Sequence, residues 1–251
     1  MSSSISDKNQ KLLCTKSGNR CAMPDCHRIL TENTQNGDPE LLIGIMAHIE
    51  GENPNSARYN FNMTDKIRNS YENLILLCPN CHAKIDGQPL TYTKDYLHDI
   101  KSKHEDWVIK ATAQEMSNIT FAELEIVTNN LIGTHYINNG SLELTPPEYK
   151  ISKNGLSSEI KDMILLGMVR SKEVSDFIKG IDKIDKKFKD RLITGFQSEY
   201  KRLKDEEGEV GDDIFYNLFD FSCNNSKNFK IRAAGLSILT YLFEICEVFE
   251  K

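Results

Sequence analysis

The sequence predicts an α+β protein in which a small, cysteine-rich N-terminal domain precedes a mainly α-helical C-terminal domain. Three observations predict this architecture. Five of the seven cysteines stand within the first 81 residues. Two short apolar runs, Leu41–Ile49 and Asn73–Leu77, have the length and the Ile and Leu content of buried strands. From Leu156 to Phe249, apolar residues recur at the spacing of amphipathic helices.

The domain boundaries follow from changes in this pattern. We assign residues 1–113 to the N-terminal domain, which includes a trailing helix that starts near Thr93. Residues 114–149 are expected to form a linker, because the segment INNGSLELTPPEY is rich in turn formers and two consecutive prolines oppose helix formation. The short run FAELEIV within it fits either a strand or a helix. Residues 150–251 are expected to form the helical C-terminal domain.

The net charge is −6 at pH 7, and most of the excess acid lies in the second half of the chain. Residues 1–110 carry 13 Lys and Arg against 14 Asp and Glu, whereas residues 111–251 carry 18 against 23. A protein that binds nucleic acid tightly on its own usually has a basic face. The composition therefore argues against autonomous tight binding and fits a protein that another component delivers or activates.

The first residues, MSSSISDKNQ, are polar and lack the apolar core of a secretory signal. No apolar stretch reaches the length that a membrane-spanning helix needs. We therefore expect a cytoplasmic protein without a membrane partner.

Four cysteines form two pairs with chelating spacing, Cys21-x4-Cys26 and Cys78-x2-Cys81. Two pairs of thiolates carried on turns are the usual way to build a tetrahedral structural Zn²⁺ site. His27, directly after the first pair, is an alternative to one of the thiolates. The other three cysteines, Cys14, Cys223 and Cys246, stand alone in the sequence. The two in the C-terminal domain, Cys223 and Cys246, are most simply buried hydrophobic residues.

Polar residues flank the two predicted strands and the second cysteine pair. His48 ends the first strand, Asn73 opens the second, and His82 directly follows Cys81. If the chain is helical after the second cysteine pair, His82 and Asp86 are four residues apart and project from one face. An imidazole and a carboxylate side by side can hold a hard divalent cation.

These residues occur in three motifs, AHI at Ala47–Ile49, ENLILLC at Glu72–Cys78 and CPNCHAKID at Cys78–Asp86. In these motifs the chain resembles the HNH endonucleases, which have the ββα-metal fold. The resemblance implies that His48 is the general base that activates water for attack on a phosphodiester, and that Asn73 orients it through the peptide backbone. It also implies that His82 holds a catalytic Mg²⁺ or Mn²⁺ ion.

One position departs from the family pattern. HNH endonucleases often carry an acidic ligand directly before the first histidine, where this chain has Ala47. We therefore predict Asp86 as the second ligand of the catalytic metal, with Glu50 as the alternative. Arg58 is a candidate phosphate contact, because a guanidinium group matches phosphate in a bidentate manner. An ordinary solvated arginine is the competing interpretation.

The chain from about residue 144 to the end resembles a C-terminal domain shared by effectors of bacterial three-component defence systems, including Lamassu-like ones. The segments that carry the resemblance are TPPEYKISKNGLS, RLITGFQSEYKRL, GDDIFYNLFDF and AAGLSILTYLFEICEVFEK. The resemblance implies docking on an SMC-like ABC ATPase that acts with a small third subunit. A stabilising or homo-oligomerising helical domain is the alternative.

The final helical segment, residues 228–249, is apolar on nearly every face. We expect one face to pack inside the domain and a second to need another surface, either a partner or a second copy of the chain.

Together these features predict a metal-dependent HNH DNA endonuclease that is the effector of an antiphage complex. One alternative is a zinc-ribbon adaptor that binds nucleic acid or protein without cleaving it. Such an adaptor has no need of the set formed by His48, Asn73 and His82. The other alternative is a stand-alone restriction-type nuclease, against which the acidic second half of the chain argues.

Overall fold

The computed structural model describes residues 4–32, 41–132, 147–245 and 248–249. The chain divides into two compact units, an N-terminal unit Met1–Lys110 and a C-terminal unit Ala111–Lys251. The described residues are mostly helical and include two small antiparallel sheets, so the predicted α+β class is confirmed. Within the same residues, no helix is long and apolar enough to cross a membrane.

The N-terminal unit contains short strands between helices. Its elements are α1 (Asp7–Lys16), β1 (Thr31–Glu32), β2 (Leu41–Leu42), β3 (Ile45–His48), α2 (Asp65–Arg68), β4 (Leu74–Leu77), α3 (Pro79–Gly87) and α4 (Lys94–Glu115). A 3₁₀ turn, Tyr71–Asn73, leads directly into β4.

The first predicted strand, Leu41–Ile49, is divided in the structure. Leu41–Leu42 is exposed and pairs with β1, whereas Ile45–His48 pairs with β4 in an antiparallel register that sets His48 opposite Leu74. The chain changes partner around Gly44, where a Cβ atom would lie 3.1 Å from the Leu30 and Leu76 side chains. A close approach of this kind favours glycine and interrupts a continuous strand.

The strand β4 forms the centre of the N-terminal core. All four of its side chains are fully buried. It pairs with β3 and contacts α1 and α3, and the Ala22 amide donates to the Leu76 carbonyl over 2.9 Å. A strand that is buried on both faces reads as a continuous apolar run, as LILL does here. The consecutive elements β3, β4 and α3 therefore pack around one core.

The C-terminal unit consists of helices in its described part. These are α5 (Phe121–Ile132), α6 (Pro147–Lys153), α7 (Ser158–Met168), α8 (Ser171–Asp182), α9 (Phe188–Lys201), α10 (Asp212–Cys223) and α11 (Phe229–Glu244). A 3₁₀ turn, Met116–Asn118, precedes α5, and a π-helical turn, Arg202–Glu206, follows α9.

Part of the expected linker 114–149 is helical. Residues 133–146 lie outside the described residues. Within residues 114–132 lie the end of α4, the 3₁₀ turn and α5, and residues 147–149 begin α6, where Pro147 is the first helical residue. The reason is packing, since Leu124, Val127 and Leu131 follow helical spacing and are buried. They lie on a helix that contacts α9 and α11, and the run FAELEIV is therefore part of a core helix.

Helix α11 is the central helix of the C-terminal unit. Every residue from Arg232 to Phe243 is buried, and the helix contacts α5, α7, α8 and α10. The expectation that its second apolar face needs an external surface is wrong, because helices of the same unit cover it. Cys246 lies outside the described residues, and Cys223 is buried as expected.

Gly167 allows α7 to approach α11 closely, which gives a test of this packing. A Cβ atom there would lie 2.7 Å from Thr240 Cγ2 and closer still to its Oγ1. We expect Gly167→Ala to lower the free energy of unfolding by about 1–3 kcal/mol through overpacking. The helical Gly180 has no atom within 4 Å of such a Cβ. Gly180→Ala should therefore stabilise by about 0.5–1 kcal/mol. Urea unfolding of both variants checks the difference, and equal effects would contradict the packing described.

Candidate functional site

The four paired cysteines converge in the structure, as the spacing predicts. The sulfur atoms of Cys21, Cys26, Cys78 and Cys81 all lie within 4.8 Å of one another. The Cys26 and Cys78 sulfurs are 3.9 Å apart, close to the ~3.8 Å edge of a tetrahedron with Zn–S bonds of about 2.3 Å. None of the described cysteines is in a disulfide. The donor set can therefore hold a zinc ion.

Local hydrogen bonds bring the two cysteine pairs to this position. The Cys21 amide donates to the Arg28 carbonyl and the Cys26 amide to the Met23 carbonyl, both over 2.9 Å, which closes the first turn. Cys78 is the N-cap of α3, and its sulfur accepts a hydrogen bond from the Cys81 amide. The positive end of a helix favours a thiolate at this position.

Burial and the mutual contacts of these thiols shift their pKa values in different directions. Burial raises the pKa of Cys21 to about 11, and burial together with the neighbouring thiols raises that of Cys81. For Cys78, burial is outweighed by hydrogen bonds from the Cys81 amide and the neighbouring thiols, so its pKa is lowered. Four thiolates this close repel one another, and a bound divalent cation removes that repulsion.

His27 packs beside the cysteine cluster but is not a member of it. Its ring stacks on Trp107 with centroids 4.1 Å apart, and its Nδ1 lies 3.2 Å from Nδ1 of His104. Burial lowers the pKa of His104 to about 4, so this imidazole is neutral at pH 7. The convergence of four sulfurs favours the all-cysteine interpretation over a histidine ligand.

His48 ends β3 and contacts a residue that the motifs did not indicate. Its Nε2 atom lies 2.9 Å from Oδ1 of Asn69, which is itself buried. The neighbouring side chain, Ala47, lies in the apolar core with 2% exposure. An acidic side chain at position 47 would point into that core and not toward His82 or Asp86 on the partly exposed face of the helix Pro79–Gly87.

Asn73 holds the end of β3 through the backbone of Glu50. The Asn73 side-chain oxygen accepts from the Glu50 amide over 2.9 Å, and its nitrogen donates to the Glu50 carbonyl over 3.0 Å. The same nitrogen donates to the Arg68 carbonyl over 2.8 Å. The buried amide thus joins both ends of the loop between β3 and β4.

His82 and Asp86 lie together on α3, as their spacing predicts. The distance from His82 Nε2 to Asp86 Oδ2 is 3.3 Å, and both side chains are partly exposed. Of the residues that the structure describes, only the four cysteines form a group of three or more possible metal ligands. Glu50, the alternative ligand, has its Oε2 atom 4.0 Å from Lys94 Nζ.

Arg58 has a different role from the phosphate contact that we expected. Its Nε and one terminal nitrogen each donate over 2.7 Å, to the Ile49 and Ile85 carbonyls. The other terminal nitrogen lies 2.8 Å from Asp86 Oδ1. Only 6% of the side chain is exposed, so the guanidinium group is committed to the protein and does not face a phosphate.

A second arginine that sequence reasoning missed, Arg68, holds the same loop. It is 3% exposed and donates to the carbonyls of Gly51, Asn60 and Met63 over 2.6–3.0 Å. Its guanidinium carbon also lies 4.4 Å from the centre of the Tyr59 ring. An arginine in a polar loop carries no sequence signal that separates such a buried role from an exposed one.

The four-cysteine cluster predicts a specific loss of bound zinc on substitution. Cys78→Ser should lower the bound zinc from about one per chain and unfold the N-terminal unit, since a whole structural site contributes on the order of 10 kcal/mol. Cys14→Ala, at a buried cysteine outside the cluster, should keep its zinc. Elemental analysis and circular dichroism check both variants. Wild-type protein without zinc, with the four cysteines oxidised in pairs, would contradict the site.

A scan against models of protein families finds none that matches this chain, and no curated protein sequence matches it.

Proposed function

We propose that this protein is a metal-dependent DNA endonuclease of the HNH type, with the ββα-metal fold in its N-terminal unit. The observation that carries the proposal is the order β3, β4, α3. His48 ends the first strand, Asn73 adjoins the second, and His82 is the fourth residue of α3, directly after Cys81. A zinc-binding adaptor needs no polar side chains at these three points, and this arrangement therefore supports catalysis.

His48 is the proposed general base. Its Nε2 atom is 2.9 Å from the Asn69 side-chain oxygen. When that oxygen accepts the N–H of Nε2, the lone pair of the ring is on Nδ1 and can take a proton from a water molecule. Asn73 supports this role because it fixes the backbone of Glu50, two residues beyond the base.

His82 and Asp86 are the proposed ligands of a catalytic Mg²⁺ or Mn²⁺ ion. Their ligand atoms are 3.3 Å apart, close to the ~3 Å edge of an octahedron with bonds of about 2.1 Å. When bound, the ion would polarise the scissile phosphate and neutralise charge on the leaving oxygen. Two protein ligands fit such an ion, since Mg²⁺ usually keeps several waters and binds substrate phosphates.

The proposed zinc ion has a structural role. Cys78 and Cys81 lie at the start of α3, and the His82 amide donates to the Cys78 carbonyl over 2.9 Å. Binding these sulfurs to those of the first turn would fix the start of α3, and with it the direction of the His82 side chain.

We further propose that the nuclease is the effector of a bacterial antiphage complex, activated by an SMC-like ABC ATPase that acts with a small third subunit. The resemblance of the chain from about residue 144 supports this assignment. The charge distribution also supports it, because a nearly neutral N-terminal half has few groups for autonomous DNA binding. Since α11 is buried within its own unit, docking would use the outer faces of the surrounding helices.

The base assignment is tested by His48→Ala, with His98→Ala, at an exposed histidine of α4, as the matched control. Loss of the proton acceptor should lower cleavage by about 10²–10⁴-fold while zinc content and fold are kept. Plasmid cleavage is measured with Mg²⁺ or Mn²⁺, with and without the ATPase and third subunit. The His98 variant should cut as the wild type does. If the His48→Ala variant nicks the plasmid as fast as the wild type, His48 is not the general base.

The metal assignment is tested by His82→Ala and Asp86→Asn. Both variants should lose cleavage at millimolar Mg²⁺, because each lacks one proposed ligand, and high Mn²⁺ should restore part of it. A chelator should stop the wild-type reaction before it removes the zinc, which four thiolates hold more tightly. Unchanged cleavage by Asp86→Asn would transfer the ligand role to Glu50.

A further inference from the structure

Arg58 joins three parts of the N-terminal unit through one buried guanidinium group. Its donors reach the Ile49 carbonyl on one side and the Ile85 carbonyl and the Asp86 carboxylate on the other. The residue has a left-handed φ of 57°, which is uncommon for a side chain of this size. The backbone at Arg58 is thus strained, at the residue whose side chain makes these three contacts.

The two ends of this connection carry the proposed chemistry. Ile49 follows His48 directly, and Ile85 and Asp86 belong to α3, the helix of His82. Asp86 is shared between two partners: Oδ1 lies 2.8 Å from the Arg58 nitrogen, and Oδ2 lies 3.3 Å from His82 Nε2. The guanidinium group therefore occupies one carboxylate oxygen and leaves the other facing the imidazole.

We propose that Arg58 is a positioning residue that orients Asp86 beside His82 as a divalent-metal ligand and fixes α3 against the strand end that carries His48. The proposal rests on the nuclease function proposed above and names a residue that acts through Asp86 without touching metal or DNA. A partly exposed ion pair alone would contribute little to stability. The Ile49 and Ile85 carbonyls also accept hydrogen bonds from Arg58, so three acceptors fix the position of its guanidinium group. The planar guanidinium group can donate to all three in this geometry, whereas the ammonium group of a lysine cannot.

Direct Mn²⁺ binding tests this role separately from cleavage. Zinc-loaded, full-length protein is titrated with Mn²⁺, and free Mn²⁺ is followed by electron paramagnetic resonance. Arg58→Lys should weaken Mn²⁺ binding by about 10–100-fold, the usual effect of losing a residue that orients a ligand. Zinc content and unfolding midpoint report whether the fold is kept. Arg191→Lys, at an Arg–Asp pair of the C-terminal unit, is the matched control and should bind as the wild type does.

Chemical rescue separates positioning from a general effect on folding. Arg58→Gly relieves the left-handed backbone and removes the side chain, and guanidinium chloride at a non-denaturing concentration should restore much of its Mn²⁺ affinity. The same salt should not restore binding to His82→Ala, which lacks the ligand itself. Equal Mn²⁺ affinity in the wild type and Arg58→Lys, or no rescue of folded Arg58→Gly, would overturn the proposal.

The outcomes also separate this proposal from the nuclease assignment. A wild type that binds Mn²⁺ in an Arg58-dependent manner but leaves DNA uncut, even with the ATPase and third subunit present, would refute the nuclease and retain the positioning role. A wild type that binds no Mn²⁺ refutes the positioning role, whatever the cleavage assay shows.

Discussion

Four thiol groups within 4.8 Å of one another place the strongest physical constraint on the N-terminal unit. Burial raises the pKa of Cys21 to about 11, and a cation bound between the sulfurs would offset the cost of ionising that thiol. The two pairs come from turns more than fifty residues apart in the chain, and a shared ion would close that long loop. Such a closure would stabilise the short strands and the start of α3, since a two-stranded sheet alone is marginally stable in water.

The loop between β3 and β4 is held by side chains where regular secondary structure is sparse. Within the loop, Arg58 donates to the Ile49 carbonyl, Arg68 to the Gly51 carbonyl and Asn73 to the Arg68 carbonyl. Arg58 also donates to the Ile85 carbonyl of α3. Each buried carbonyl needs such a donor. The same bonds that stabilise the loop also set the spacing between the end of β3 and α3. Stability and the geometry of the candidate site are therefore coupled in this region.

Much of this architecture could be predicted from local patterns. Cysteine spacing predicted the sulfur cluster, and a four-residue interval predicted that His82 and Asp86 meet. The features that the sequence patterns did not predict depend on contacts between residues distant in the chain. The division of the first strand depends on the approach of Leu30 and Leu76 to Gly44, and the role of Arg58 depends on carbonyls distant in sequence. Helix α11 was predicted, but its complete burial depends on how many helices surround it, which periodicity alone does not give.

The central position of α11 also bears on how the C-terminal unit is made. The helices that enclose it, α5, α7, α8 and α10, all precede it in the chain. During synthesis they leave the ribosome with their inner apolar faces uncovered, and the helix that fills the space between them emerges only afterwards. The nascent unit is thus exposed to aggregation for longer than one whose core forms from neighbouring segments. The N-terminal unit, by contrast, has all four cysteines of its cluster once Cys81 has emerged, and its core is complete when α4 follows, well before that stage.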